Sequence, residues 1–218
     1  RRACRGGRVG MRAWYCECAP ARTSAPDVPS LSVRVLFLGT GTSHGVPMIG
    51  CDCGVCRSDD PRDSRTRPSI YMAFDDGTRV LVDTTPDLRT QALRHDIRRV
   101  DAVLFTHAHV DHLMGLDEVR RFNVLSGRAM PIFADAPTLE SIRRSFSYIF
   151  RDGAPRGGGV PDLRPWTIGG GRFSLGRHEV IPVPVRHGPW WILGYRIGGF
   201  AYLTDCNEIP PASRALLR

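Results

Sequence analysis

The segment THAHVDH, residues 106–112, places His107, His109, Asp111 and His112 within six consecutive positions, directly after the apolar run Val103-Leu104-Phe105. Imidazole nitrogens and carboxylate oxygens are the donors that zinc and manganese take, and four of them in so short a stretch exceed what a solvated turn after a strand requires. His107 and His109 flank one residue, so on an extended or turning segment their rings can converge on a single cation from the same side. Asp111 and His112 follow at the entrance to a helix expected to begin near Leu113, and can face a second cation. Two cations about 3.5–4 Å apart can share one water, ionise it near neutral pH and hold the charge that develops as it attacks phosphorus or a carbonyl. The chemistry this spacing serves is hydrolysis.

A second cluster lies in GCDCGVC, where Cys51, Cys53 and Cys56 bring three thiols into six residues. Free thiols so close together are prone to oxidation unless they hold a metal, and thiolates select zinc, which as a structural site would staple the loop and stabilise it. Cys16-Glu17-Cys18 has no further donor near it in the sequence and carries no such reading. Without those residues there is no disulfide framework, and the pattern is that of a cytoplasmic protein with free thiols.

The elements that must position these residues are readable from residue 31 onward. Strands are expected at Val33–Leu38, Ile70–Phe74, Arg79–Val82, Ala102–Phe105, Pro131–Ala134, Glu179–Val185, Trp191–Ile197 and Phe200–Thr204, with Asp75-Asp76-Gly77 turning one hairpin. Helices are expected at Asp87–His95, Leu113–Phe122, Thr138–Phe146 and Pro211–Leu217, with Pro86 and Pro137 near helix starts. Paired strands interleaved with helices suggest an α/β sandwich of two sheets with helices outside. GTGTSHG, after the first strand, lacks the Gly-Lys-Ser/Thr of a phosphate-gripping loop and fits the dinucleotide fingerprint poorly. His44, His95 and His178 are expected to be solvated, His44 being the one nearest a cleft.

The 218 residues suffice for one substantial core, and no apolar stretch is long enough to span a bilayer. All 30 basic residues are arginine, as codon usage in a GC-rich genome produces, and the first thirty residues contribute half of the net charge of +8. No arginine run interleaved with aromatics marks a nucleic-acid groove in the remainder, so a nucleic-acid partner is possible but not favoured. Residues 1–30 lack both helical and strand periodicity and the apolar centre of a secretion signal, and are expected to form a disordered leader. Residues 31–218 are expected to form the hydrolase domain. Association into a homodimer is left open.

THAHVDHLMGLDEVR resembles the H-x-H-x-D-H signature of the metallo-β-lactamase-fold hydrolases, and the resemblance extends from about Val33 to the last residue. It implies an αβ/βα sandwich of two mixed sheets with flanking helices. It also implies that Asp83, in VLVDTTPDLR, orients the histidines from behind, that His187 in VPVRHGPWW completes the site of His107 and His109, and that Asp205 in YLTDCN bridges to the metal of Asp111 and His112. The cysteine trio after GTGTSHGVP is similar to that of the cyclic phosphodiesterase branch, typified by phosphoribosyl cyclic phosphodiesterases. In that branch the three cysteines and a C-terminal histidine hold a structural zinc remote from the reaction, which takes place at a separate two-metal (Zn or Mn) catalytic site.

The resemblance thus implies hydrolysis of a small cyclic or activated phosphodiester by a metal-bridging hydroxide. Members of that branch continue beyond the position of Arg218 with further histidines, so the sequence is expected to be truncated at its C-terminus. Two other readings remain: an endonuclease processing RNA 3′ ends, with Arg151–Asp162 as the one flexible candidate arm, and a catalytically silent metal-binding fragment.

Overall fold

The computed structural model describes residues 32–151, 153 and 159–218. The expected leader, with Cys16 and Cys18, lies outside these residues, as do residues 152 and 154–158 of the candidate arm.

Six strands form the first sheet in sequential order: β1 (Val33–Gly39), β2 (Ser69–Phe74), β3 (Arg79–Val82), β4 (Ala102–Leu104), β5 (Met130–Ala134) and β6 (Leu163–Thr167). Pairing is antiparallel from β1 to β3 and parallel from β3 to β6. The second sheet is antiparallel in the order β10-β9-β8-β7, built from β7 (Phe173–Leu175), β8 (His178–His187), β9 (Trp190–Ile197) and β10 (Phe200–Tyr202). The helices are α1 (Leu88–Arg94), α2 (Val110–Leu113), α3 (Arg120–Ser126), α4 (Ala136–Ser145) and α5 (Pro211–Ala215). None among the described residues is long and apolar enough to cross a membrane.

The two faces of the first sheet are sorted by strand alternation. Val80, Val82, Ala102 and Leu104 point toward the second sheet and pack with Val180, Tyr195 and Ile197. Leu81, Val103, Phe105 and Ile132 point the other way and pack under Leu88, Leu116, Leu139 and Ile142 of the helical layer. Val183, Val185 and Ile192 on the outer face of the second sheet meet Leu216 and Leu217 beside α5. The result is the expected sandwich of two sheets with helices outside. Fully burying each of the valine, leucine, isoleucine and phenylalanine side chains of these layers contributes about 1.5–3 kcal/mol. The rigid core therefore stands directly behind the loops that leave β3, β4, β8 and β10.

The structure departs from the sequence expectations in three places. Strands β6 and β7 were not expected: β6 is an edge strand with no buried residue and Pro165 at its middle, and β7 has only three residues, so neither shows strand alternation. The helix expected over Leu113–Phe122 is broken into α2, a 3₁₀ turn at Leu116–Val119, and α3. Leu113, Leu116, Val119 and Phe122 are all buried, as their spacing suggested, but the amide of Gly115 donates to Thr84 O at 2.9 Å instead of continuing the helix. A Cβ on Gly115 would lie 1.9 Å from Thr85 O, so only glycine admits this approach.

The third departure is His178, which is buried, not solvated. It stacks on Phe74 at 3.9 Å between centroids, and its Nε2 lies 2.8 Å from Asp76 Oδ2 in the β2–β3 turn, joining the two sheets. A histidine at a strand start looks polar in sequence; here burial beside an aromatic ring and a carboxylate decides its place. His44 is exposed and His95 half-buried.

Candidate metal centre

Beyond β4 the chain passes between the sheets. Phe105 N donates to Phe133 O and the Tyr195 hydroxyl donates to Phe105 O, while Thr106 O accepts from Leu193 N at 3.0 Å. The ligand-bearing loop thus starts from a backbone gripped by both sheets. Its next anchor is Asp83, fully buried at the end of β3 with φ 64°. Asp83 Oδ1 accepts Thr106 N and Oδ2 accepts the Thr106 hydroxyl, both at 2.8 Å, and Oδ2 also lies 2.8 Å from His112 Nδ1. The following threonine closes the other side: Thr84 N donates to His112 O at 2.8 Å, and its hydroxyl donates to Leu113 O at 3.0 Å. Asp83 and Thr84 together hold α2 in place.

These contacts determine the chemistry of His107. The Thr106 hydroxyl has one proton and gives it to Asp83, which can only accept. His107 Nδ1, 2.9 Å from that hydroxyl, must therefore be the donor, and its Nε2 carries a bare lone pair. Among the described residues that Nε2 is the buried side-chain polar atom without a hydrogen-bond partner. Burial, reinforced by the neighbouring imidazoles of His112 and His109, drives His107 down to about 3, so the ring is neutral. A buried, neutral imidazole with an unmet acceptor aimed into a cluster of donors is what a divalent cation requires.

The cluster itself has two parts. Donor atoms of His107, His109, His187 and Asp205 all lie within 4.8 Å of one another, and so do those of Asp111, His112 and Asp205. His187 Nε2 is 3.3 Å from His109 Nδ1, and the rings of His107 and His109 meet edge-on at 4.6 Å. His112 Nε2 lies 2.9 Å from Asp205 Oδ2 and 3.3 Å from Asp111 Oδ2. Burial opposes charge on His112, but the carboxylates of Asp83, Asp111 and Asp205 outweigh it and the ring is pushed up to about 12. Burial likewise opposes charge on Asp205, yet the hydrogen bond and positive charge of His112 and the hydrogen bond from Thr204 hold it far below the usual carboxylate range.

The structure thus brings together His107, His109, Asp111, His112, His187 and Asp205, with Asp83 behind them. His187 ends β8, and Asp205, with φ 54°, follows β10. Asn207 ties these two segments together: its amide donates to Arg186 O at 2.9 Å and its Oδ1 accepts Gly188 N at 2.6 Å. The sequence reading passed over Thr106 and Asn207, each one or two positions from a ligand. Nothing in their residue types marks them, because their role depends on which backbone lies opposite.

Cys51, Cys53 and Cys56 also converge, with sulfurs within 4.8 Å of one another. They sit on the loop after β1, where Met48 N approaches Cys56 Sγ at 3.4 Å and Cys56 N approaches Cys53 Sγ at 3.5 Å. The Cys56 amide and the Cys51 side chain draw Cys53 down to about 7, toward the thiolate that binds metal. Three soft donors at this spacing fit zinc.

A profile of the Beta-lactamase superfamily domain matches residues 78–218, from the β2–β3 turn to the end of the chain. The chain belongs to the β-lactamase superfamily. Superfamily membership accounts for the two-sheet sandwich. Similar proteins include an octanoyltransferase of Porphyromonas gingivalis (strain ATCC BAA-308 / W83), 42% identical over 178 residues that make up 81% of this chain and 35% of that protein. The chain therefore spans about a third of that relative's length. Among solved structures, a diphosphatase of the PhnP family is 44% identical with a TM-score of 0.77, the match covering 85% of this chain and 70% of that one. Zn(2+)-bound PqqB from Methylobacterium extorquens, at 23% identity, shares the fold with a TM-score of 0.64, the match covering 84% of this chain and 68% of that one.

Proposed function

We propose that the chain is a metal-dependent hydrolase of small phosphodiesters, cyclic or otherwise activated. The observation that carries this reading is the position of Asp205, whose carboxylate belongs to both ligand groups. A carboxylate shared by two clusters suits a pair of cations, and the 44% identity to a PhnP-family diphosphatase favours phosphorus over a carbonyl carbon as the centre attacked. His107, His109, His187 and Asp205 would hold one cation, and Asp111, His112 and Asp205 the other, with zinc or manganese as the candidates. Bound there, the cations would supply Lewis acidity toward a phosphoryl oxygen and lower the pKa of a bound water toward neutrality.

The chain's own residues prepare that chemistry. Asp83 and Thr106 fix the tautomer of His107 and the orientation of His112, so the donor atoms need not reorganise. His107 is held neutral, and Asp111 and Asp205 ionised, each in the state that a ligand requires. The cysteine trio would hold a structural zinc, away from the reaction.

The test is turnover of bis-(p-nitrophenyl) phosphate by the protein loaded with Mn²⁺ or Zn²⁺, with metal content measured in parallel. Hydrolysis that depends on metal supports the reading. A fully loaded protein without turnover on this or on a cyclic phosphodiester would refute it.

A further inference from the structure

Strands β3 to β6 run parallel, so the ends at which they begin lie together, at the end of the sandwich opposite the metal centre. A cavity of about 390 Å³ opens there, lined by Thr78 and Asp101 just ahead of β3 and β4, by Pro131 and Phe133 of β5, by Arg164 and Trp166 of β6, and by the β7–β8 turn. Its charge is one-sided, because Arg99, Arg128 and Arg164 surround a single carboxylate, that of Asp101. Asp101 is already engaged. Arg99 Nε donates to its Oδ1 at 2.9 Å, and Arg79 N donates to its Oδ2 at 2.8 Å. Arg128 and Arg164 are exposed, and neither has a carboxylate partner among the described residues. The Arg164 guanidinium lies 4.8 Å from the centroid of the Trp166 ring, a contact that steadies it without cancelling its charge.

Trp166 supplies the other half of the site. It is 44% exposed on a strand with no buried residue, so the core does not explain an indole there. It ends a row of three nearly parallel rings: Phe173 and Phe133 stack at 5.2 Å with 15° between their planes, and Phe133 and Trp166 at 6.2 Å with 10°. A strand added at the β6 edge does not suit this surface. Met130 N donates to Asp162 O and Ile168 N to Ala134 O, so the even-numbered residues of β6 turn their backbone toward β5, while Leu163, Pro165 and Thr167 turn theirs outward. Pro165 has no N–H to offer, which interrupts the outer ladder at its middle.

We propose that this end of the sandwich is a second binding site, which takes a small anion bearing a planar ring, the class to which nucleoside monophosphates belong. The anionic group pairs with Arg128 and Arg164, and the ring lies on the open indole surface of Trp166, extending the row of rings. A volume of about 390 Å³ is at the lower end of small-molecule sites and suits one nucleotide, not a strand. The site shares no residue with the metal centre, so the proposal does not depend on the phosphodiesterase reading.

The test is calorimetric titration of the metal-free full chain with adenosine 5′-monophosphate, and with two halves of it, adenosine and ribose 5-phosphate. The nucleotide should bind, and each half should bind about tenfold or more weakly, since one lacks the anion and the other the ring. Arg128→Gln and Arg164→Gln should each weaken the nucleotide about tenfold, as should Trp166→Ala, while Trp166→Phe should restore most of the affinity. His109→Ala, at the metal centre, should leave it unchanged. The two arginines lie at the surface, so their variants should keep a cooperative melt and decide the question even if Trp166→Ala does not fold. No binding to the parent, or ribose 5-phosphate binding as tightly as the nucleotide, would overturn the proposal. So would affinity that survives both arginine variants but is lost in His109→Ala, which would locate the nucleotide at the metal centre.

Discussion

The histidine–aspartate centre and the cysteine trio both gather metal donors within 4.8 Å, yet they are held by different means. The donors of the first come from three separated stretches of chain, the loop after β4, the end of β8 and the loop after β10, and converge because two sheets and Asp83 put them there. The donors of the second come from six consecutive residues on an exposed loop, and the hydrogen bonds reaching their sulfurs come from the same loop. In one case the fold makes the site. In the other, a bound metal would make the local structure, since a loop with so little buried apolar surface would gain order from a cation held by its thiolates. Metal should therefore matter to chemistry at the first centre and to stability at the second.

The sharpest way to break this contrast is to remove a donor from the first centre. His109→Ala or Asp111→Asn should lower kcat/KM on bis-(p-nitrophenyl) phosphate by more than the roughly 10- to 100-fold expected for an outer supporting residue, while the metal-free protein keeps a cooperative melt close to that of the parent. Near-normal turnover in either variant would show that the cluster is not the reaction centre. Next in size is Asp83→Asn, which keeps the shape of the side chain but removes the charge that orients Thr106 and His112. Metal affinity, read by competition with a chelator, should fall by about 10- to 100-fold. Unchanged affinity would mean that the backbone alone holds the donors.

At the second centre the effects should appear in a different observable. Cys53→Ser should lower zinc content and thermal stability together, each ~1 kcal/mol lost lowering Tm by about 2–4 °C in a domain of this size, while turnover at the loaded catalytic centre persists. Loss of turnover at unchanged Tm would reverse the assignment. The smallest effect is expected from deleting residues 1–29, whose composition offers no core-forming period. Tm should move by less than about 2 °C, within the scatter of surface changes, and a larger drop would reveal a structural element there.

What could be read from the sequence follows the same division. Asp111 and His112 are adjacent to His107 and His109, and the cysteines to one another, so local spacing alone announced both clusters. His187 and Asp205 lie 78 and 93 residues from the donors they meet, and the residues themselves said nothing of that; only the family resemblance joined them. Strand β3 falls at Arg79–Val82 as expected, because its buried apolar run is unbroken. Strand β6 was illegible because an edge strand with a proline and no buried residue has no pattern to show. The helix after His112 was predicted as one piece because Leu113, Leu116, Val119 and Phe122 keep helical spacing, and periodicity does not record that an amide has been drawn to another loop.

That diverted amide belongs to Gly115, and the contact changes what counts as part of the active centre. Glycine contributes no donor, charge or proton, and a survey of chemically capable residues would pass over it. Yet its α-carbon rests on the main chain of Thr85, the second residue after Asp83, with no room for even a methyl group. Any other residue at 115 would force apart the loop that carries Asp83 and the turn that carries Asp111 and His112. With the proposed hydrolysis as readout, a mutational library that spares every candidate ligand but randomises this position should lose activity about as surely as one that randomises a histidine, and the colonies lost would carry an intact set of metal donors.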